Sequence, residues 1–199
     1  MAEHNARVTI GVLVSGTGTN LQALLDAEAQ GALAPGAIAA VVCNNPGAPS
    51  IARAAAANKP THVVDHRGRS RAAFEDAMLE ALGPVDLVVL AGFMRVLTSH
   101  FLDRFPGRVI NTHPSLLPAF PGIDAPAQAI AAGATTTGVT VHFVDATVDG
   151  GPMISQVAVP IVPGDTAAAL HARIQIEEHK LLPRIVRELA IEIAQGRRT

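Results

Sequence analysis

The chain has 199 residues, 49% hydrophobic and 16% charged, which excludes a disordered or low-complexity protein and suits one domain. Lys and Arg total 15 against 17 Asp and Glu, a formal charge of −2 with no basic block, so a broad surface for nucleic acid is not expected. The longest apolar runs, Val8–Val14 and Leu87–Met94, fall short of the ~20 residues that a membrane-spanning helix needs, so no membrane partner is expected either. A single cysteine, Cys43, excludes an internal disulfide and a Cys-rich zinc site, and its place at the end of an apolar run reads as a buried small hydrophobe. Arg7 and the short apolar stretch behind it do not read as a signal peptide, because the stretch breaks at Ser15-Gly16-Thr17-Gly18. The expected location is the cytoplasm.

Val8–Val14 is a short β-branched run, the pattern of a strand buried in a parallel sheet. Leu21, Leu24 and Leu25 then open a helix that fades at Gln30-Gly31. Ala37–Cys43 is a second strand, followed by the turn cluster Asn44-Asn45-Pro46-Gly47, an Ala-rich helix and a short strand at Thr61–Val64. Phe74, Met78 and Leu82 recur at intervals of four and mark an amphipathic helix that starts near Ser70. Asp86–Ala91 and Arg108–Thr112 are two further strands with a helical stretch between them. Four prolines between Pro114 and Pro126 then impose an irregular segment. Gly138–Val144 alternates with Val139, Val141 and Phe143 on one face, and Ile154–Val162 is the last strand. From Asp165 a terminal helix runs on, interrupted near Pro183. The alternation predicts an α/β fold: a doubly wound, mostly parallel sheet, then a mixed β C-terminal portion and a closing helix. It reads as one domain over residues 1–199, with a phosphate-binding half at about 8–112 and catalytic loops, mixed strands and the helix at about 113–199.

Ligands in such folds gather at the carboxyl ends of the strands, and three polar segments fall there. Ser15-Gly16-Thr17-Gly18-Thr19-Asn20 joins the first strand to the first helix, where free N–H groups form an anion site. A dinucleotide fingerprint fails, because its third glycine is Leu21 and the second strand ends in Asn44 rather than an acid. A phosphate monoester fits better; the plainer alternative is a tight turn capped by Thr19 or Asn20. Asn111 and His113 lie two apart on a strand and project to one face, so an amide donor and an imidazole can converge on a carbonyl that becomes an oxyanion. Asp149-Gly150-Gly151-Pro152 reads either as a turn or as a carboxylate brought close to another backbone segment, where it would favour the imidazolium of His113. Glu178 sits on the apolar stripe of Leu170, Ile174, Leu181 and Leu182 and needs a partner, either substrate hydroxyls or an ion pair. His142 shares a strand face with Thr140 and reads as a satisfied sheet histidine. No His, Asp or Glu group has metal-ligand spacing, and no Gly-x-Ser-x-Gly elbow is present.

Five segments occur in order: Gly16-Thr17-Gly18-Thr19-Asn20, Leu90-Ala91-Gly92-Phe93-Met94-Arg95-Val96-Leu97, Asn111-Thr112-His113-Pro114-Ser115-Leu116-Leu117-Pro118, His142-Phe143-Val144 and Asp149-Gly150-Gly151-Pro152. On these the chain resembles, over nearly its whole length, the phosphoribosylglycinamide formyltransferases of the folate-dependent formyltransferase superfamily. The resemblance implies a Rossmann-like formyltransferase fold, 10-formyltetrahydrofolate as formyl donor, glycinamide ribonucleotide as acceptor in purine synthesis, and no metal. It also implies a monomer or weak homodimer. Under it His113, Asn111 and Asp149 are catalytic, with Asn111 also contacting the transferring formyl group. Gly18, Thr19 and Asn20 hold the ribonucleotide phosphate, while Glu178 meets the ribose hydroxyls with Gln175 assisting. Met94, Arg95, Val96 and Leu97 hold the pterin largely through backbone groups, and Arg71 contacts the folate near its glutamate tail.

The chain departs from the family at Ala119, where relatives often carry Lys, and at Asp124-Ala125-Pro126, where they often carry a His-rich stretch. Three related enzymes share the Asn/His/Asp set. A methionyl-tRNA formyltransferase calls for a C-terminal RNA-binding domain and basic surface, and a formyltetrahydrofolate deformylase for an N-terminal regulatory domain; neither is expected here. A sugar-nucleotide formyltransferase is closest in size, but the phosphate loop speaks against it. From another class, a non-catalytic nucleotide sensor on the same scaffold would bind ligands without turnover.

Overall fold

The computed structural model describes residues 7–197. Seven strands form one sheet in the order β3-β2-β1-β4-β5-β6-β7. The strands β1 (Val8–Val14), β2 (Gly36–Cys43), β3 (Thr61–Val63), β4 (Leu87–Leu90) and β5 (Val109–His113) pair in parallel. Two antiparallel strands, β6 (Thr136–Phe143) and β7 (Met153–Pro160), extend the same sheet beyond β5. The mixed portion is therefore continuous with the parallel half.

The strand runs of the first half are apolar at almost every position because both faces of the sheet are covered. On β1, Ile10, Val12 and Val14 face one core cluster with Leu21, Leu24, Leu170, Ile174 and Leu182, whereas Leu13 faces the other with Val42, Phe74, Met78 and Phe101. The first cluster lies under α1 (Thr19–Ala29) and the closing helix α6 (Ala167–Ala194); the second lies under α3 (Arg71–Leu82) and the single turn α4 (Ser99–Leu102). Each such fully buried side chain contributes about 1.5–3 kcal/mol by leaving water. The short α2 (Pro49–Ala56) begins at a proline, which suits a first turn whose N–H has no helical partner. Cys43 is fully buried at the end of β2.

The helical stretch expected between β4 and β5 is present as the single turn α4, because an irregular run at 91–98 occupies most of that connection. Two expectations need correction. The proline-rich segment ends in a helix, α5 (Ala125–Ala131), with Pro126 in its first turn, where proline costs no backbone bond. Most plainly, α6 runs 28 residues without interruption at Pro183. An interior proline costs about 3 kcal/mol, but Leu181, Leu182, Ile185 and Val186 flank it and all bury against the sheet, which outweighs that cost.

Candidate active site

β5 is the last parallel strand, between β4 and β6, and its end meets the loops carrying Phe120 and Asp149. A cavity of about 600 Å³ opens there, lined among others by Met94–Leu97, Asn111, Thr112, His113, His142 and Asp149. The His113 ring is 5% exposed. Its Nδ1 lies 3.3 Å from Asp149 Oδ2, and its Nε2 donates to the Phe120 carbonyl at 2.8 Å. Gly122 N–H donates to the same Asp149 oxygen at 2.8 Å. Residues 120 and 122 thus hold both members of the His–Asp pair through main-chain atoms. Phe120 and Asp149 both adopt positive φ, 56° and 52°, which turns the loops toward His113.

Asp149 reaches this position because its loop can pack tightly. A Cβ at Gly151 would overlap the Phe143 carbonyl oxygen, so only glycine permits that approach. Burial pushes the Asp149 carboxyl upward, but the hydrogen bond from Gly122 N–H and the neighbouring His113 and His142 rings outweigh it, and the group titrates below its ordinary value. The carboxylate is therefore ionised at neutral pH.

His142 is a structural histidine and also a neighbour of the pair. It stands opposite Asn111 in the antiparallel register, at a bulge where β6 pairing with β7 shifts. Its Nδ1 bonds to the Phe143 carbonyl at 2.8 Å and so carries the hydrogen. Its Nε2 lies 3.3 Å from Asn111 Nδ2 and 3.7 Å from Asp149 Oδ1. One N–H of the Asn111 amide is thereby turned to His142, and the other is left for the cavity. The cross-strand position opposite Asn111 was the signal for His142; the main-chain groups of Phe120 and Gly122 had none.

The other predicted residues lie outside the cavity lining. Gly18 starts α1 in the left-handed conformation (φ 74°), against Ser50 of α2, with no side-chain cap. Thr19 and Asn20 therefore do not cap the helix. The first helical bond is Gln22 N–H to Gly18 O, so the N–H groups of 19–21 point out of the helix end unclaimed by the ladder. Asn20 is 7% exposed, and its Oδ1 has no partner. Thr19 lines a second, open cavity of about 510 Å³ with Gln22, Arg53 and His179. Glu178 is buried and accepts from Thr112 Oγ1 at 2.8 Å, so the expected partner is a protein hydroxyl on β5, between Asn111 and His113. Gln175 is half-buried one turn before it, and Arg71 is exposed at the first residue of α3. Among the described residues, no group of three or more His, Cys, Asp or Glu could hold a metal ion, and no helix is long and apolar enough to cross a membrane.

Sheet and site together define a class: an α/β protein whose ligand cavity opens at the carboxyl ends of parallel strands, with a buried His–Asp pair beside an amide donor. Residues 8–186 match the model of the formyl transferase family, and the chain belongs to that family, within its phosphoribosylglycinamide formyltransferase branch. It is 42% identical over 184 residues to the phosphoribosylglycinamide formyltransferase of Bacillus subtilis (strain 168), covering 89% of this chain and 92% of that one. It is 43% identical over 183 residues to the trifunctional purine biosynthetic protein adenosine-3 of Bos taurus, covering 89% of this chain but only 18% of the length of that protein. The crystal structure of glycinamide ribonucleotide transformylase 1 from Symbiobacterium toebii superposes with a TM-score of 0.88 at 46% identity, covering 96% of this chain and 89% of that chain.

Proposed function

We propose that the chain transfers the formyl group of 10-formyltetrahydrofolate to the glycinamide amine of 5′-phosphoribosylglycinamide in purine synthesis. The observation that carries this reading is the convergence of Asn111, His113 and Asp149 in one cavity with the 94–97 stretch. Attack of the amine on the formyl carbon puts negative charge on the formyl oxygen. A protonated His113, whose Nε2 exchanges the Phe120 carbonyl for the formyl oxygen, and the free N–H of Asn111 stabilise that charge. The ionised Asp149 holds the imidazolium and orders a water that carries the proton lost by the amine to N10, as the bond from the formyl carbon to N10 breaks and tetrahydrofolate leaves. The half-buried setting strengthens these interactions relative to bulk water.

The folate lies along Met94–Leu97, whose backbone and exposed Met94 and Val96 side chains suit a flat, partly apolar ring, with Arg71 toward its anionic tail. The ribonucleotide phosphate takes the N-terminus of α1 at Gly18–Asn20, where unclaimed N–H groups and the positive end of the helix favour an anion. Glu178, bonded to Thr112, and Gln175 serve the ribose side. These roles are supported by the match to the phosphoribosylglycinamide formyltransferase of Bacillus subtilis over most of both chains.

A folate-release absorbance assay with 10-formyltetrahydrofolate, with and without glycinamide ribonucleotide, tests the reading. Turnover that requires the ribonucleotide is the expected result. Turnover without it indicates a hydrolase, and silence under both conditions overturns the proposal in favour of another acceptor or a binding protein.

A further inference from the structure

Glu75 is a charged residue on the inward face of α3, only 1% exposed, beside Phe74 and Met78. The formyl-transfer mechanism makes no use of it. Burying a carboxylate is costly unless strong hydrogen bonds satisfy it, and an apolar side chain would fill this position without that cost. The bonds Glu75 makes are both to one residue: Thr98 N–H donates to Oε1 at 2.8 Å, and Thr98 Oγ1 donates to Oε2 at 2.5 Å.

Thr98 closes the 91–98 run, which has no helical or strand ladder of its own. Buried Phe93 and Leu97 pin this run to the core, while Met94 and Val96 stand 75% and 53% exposed at the cavity. Its middle is tied as well, since Met94 N–H donates to the buried Ser15 Oγ at 2.8 Å. Side chains from Ser15, just after β1, and from α3 therefore tie Met94 and Thr98, which bracket the cavity-lining residues of this run. Charge-assisted bonds are the stronger kind, and the Glu75 end carries two. Arg71 lies one turn earlier on the same helix.

We propose that Glu75 is a positioning residue for the folate: its carboxylate locks Thr98 and holds the 94–97 main chain in register with the cavity. The proposal rests on the functional reading above, in placing the folate along 94–97.

Glu75→Ala, Glu75→Gln and Thr98→Val test it, by steady-state kinetics and by calorimetric titration with tetrahydrofolate alone. Glu75→Ala raises the KM for 10-formyltetrahydrofolate and the Kd for tetrahydrofolate about tenfold, as expected for lost hydrogen bonds to a charged group. The ribonucleotide KM and the kcat at saturating folate stay within about twofold. Glu75→Gln, which keeps one acceptor oxygen, restores part of the affinity, and Thr98→Val, which keeps the N–H bond, gives a smaller loss than Glu75→Ala. Unchanged folate constants, or a fall in kcat together with both affinities, overturns the assignment. Should Glu75→Ala not fold, Glu75→Gln and Thr98→Val decide it. A wild-type protein that binds tetrahydrofolate but transfers nothing to the ribonucleotide refutes the formyl-transfer reading and leaves the Glu75 effect measurable by calorimetry; a wild-type protein that binds no folate overturns both.

Discussion

The parallel half of the sheet and the C-terminal part build the site in different ways. From β1 to β5 the proposed site groups sit where strands end: the Gly18 turn after β1, the 91–98 run after β4, and Asn111 and His113 in the last three residues of β5. The C-terminal part instead supplies groups from loops and from an antiparallel strand: Asp149 after β6, His142 at a bulge, the Phe120 carbonyl and the Gly122 N–H. The first half is a rigid frame covered on both faces, and its strand ends fall at the ligand side of the sheet by topology. The second part adjusts the chemistry of what the frame presents. Positions are set by the parallel strands, and orientation is set by the loops packed against them.

The largest effect should come from breaking the loop contribution at Asp149. Asp149→Asn keeps the shape but removes the charge beside His113, and turnover should fall on the order of 10³-fold while the fold and ribonucleotide binding persist. Near wild-type turnover in the same absorbance assay would remove Asp149 from the mechanism. The lowered titration of Asp149 also gives a stability signature, with its sign fixed by linkage. A carboxyl titrating lower in the folded than in the unfolded chain stabilises above the unfolded value of about 4 and loses that contribution as pH falls through the folded value. In thermal melts the advantage of wild type over Asp149→Asn should be full at neutral pH and close in acid; a gap independent of pH would contradict the electrostatic account.

A smaller loss is expected on the frame side. Asn111→Ala removes one oxyanion donor and should lower kcat by about 10²–10³, with both ligand affinities little changed. It also leaves His142 Nε2 without its amide neighbour, so Asn111→Asp should not rescue the rate, since a carboxylate has no N–H to give. Recovery of the rate in Asn111→Asp, measured under saturating ligands, would show that position 111 does not act as a donor.

The same division explains what could be read from the chain alone. Val8–Val14, Ala37–Cys43 and the Phe74/Met78/Leu82 stripe are legible because side-chain period and burial coincide there, and Asn111 with His113 shares a face by simple alternation. Ser70 signals the start of α3 and does accept from Ala73 N–H at 3.2 Å. Pro183 misleads because its local propensity against helix is overridden by the tertiary packing of its neighbours. The partner of Glu178 could be demanded from the apolar stripe around it but not named, since Thr112 is 66 residues away in sequence. Phe120 and Gly122 act through backbone atoms whose direction depends on φ, and no residue type announces that. Glu75 stands beside the apolar Phe74/Met78 positions of α3, and nothing in its own sequence neighbourhood names its partner Thr98, 23 residues on.

The central claim is that the two ligands are held by separate regions meeting at β5, the ribonucleotide phosphate at the α1 terminus and the folate along 94–97. Asn20→Ala probes it most directly, by calorimetric titration of glycinamide ribonucleotide and of tetrahydrofolate into wild type and variant. The account predicts that ribonucleotide affinity falls about tenfold and folate affinity stays within about twofold. Equal losses for both ligands, or a loss confined to the folate, would contradict it.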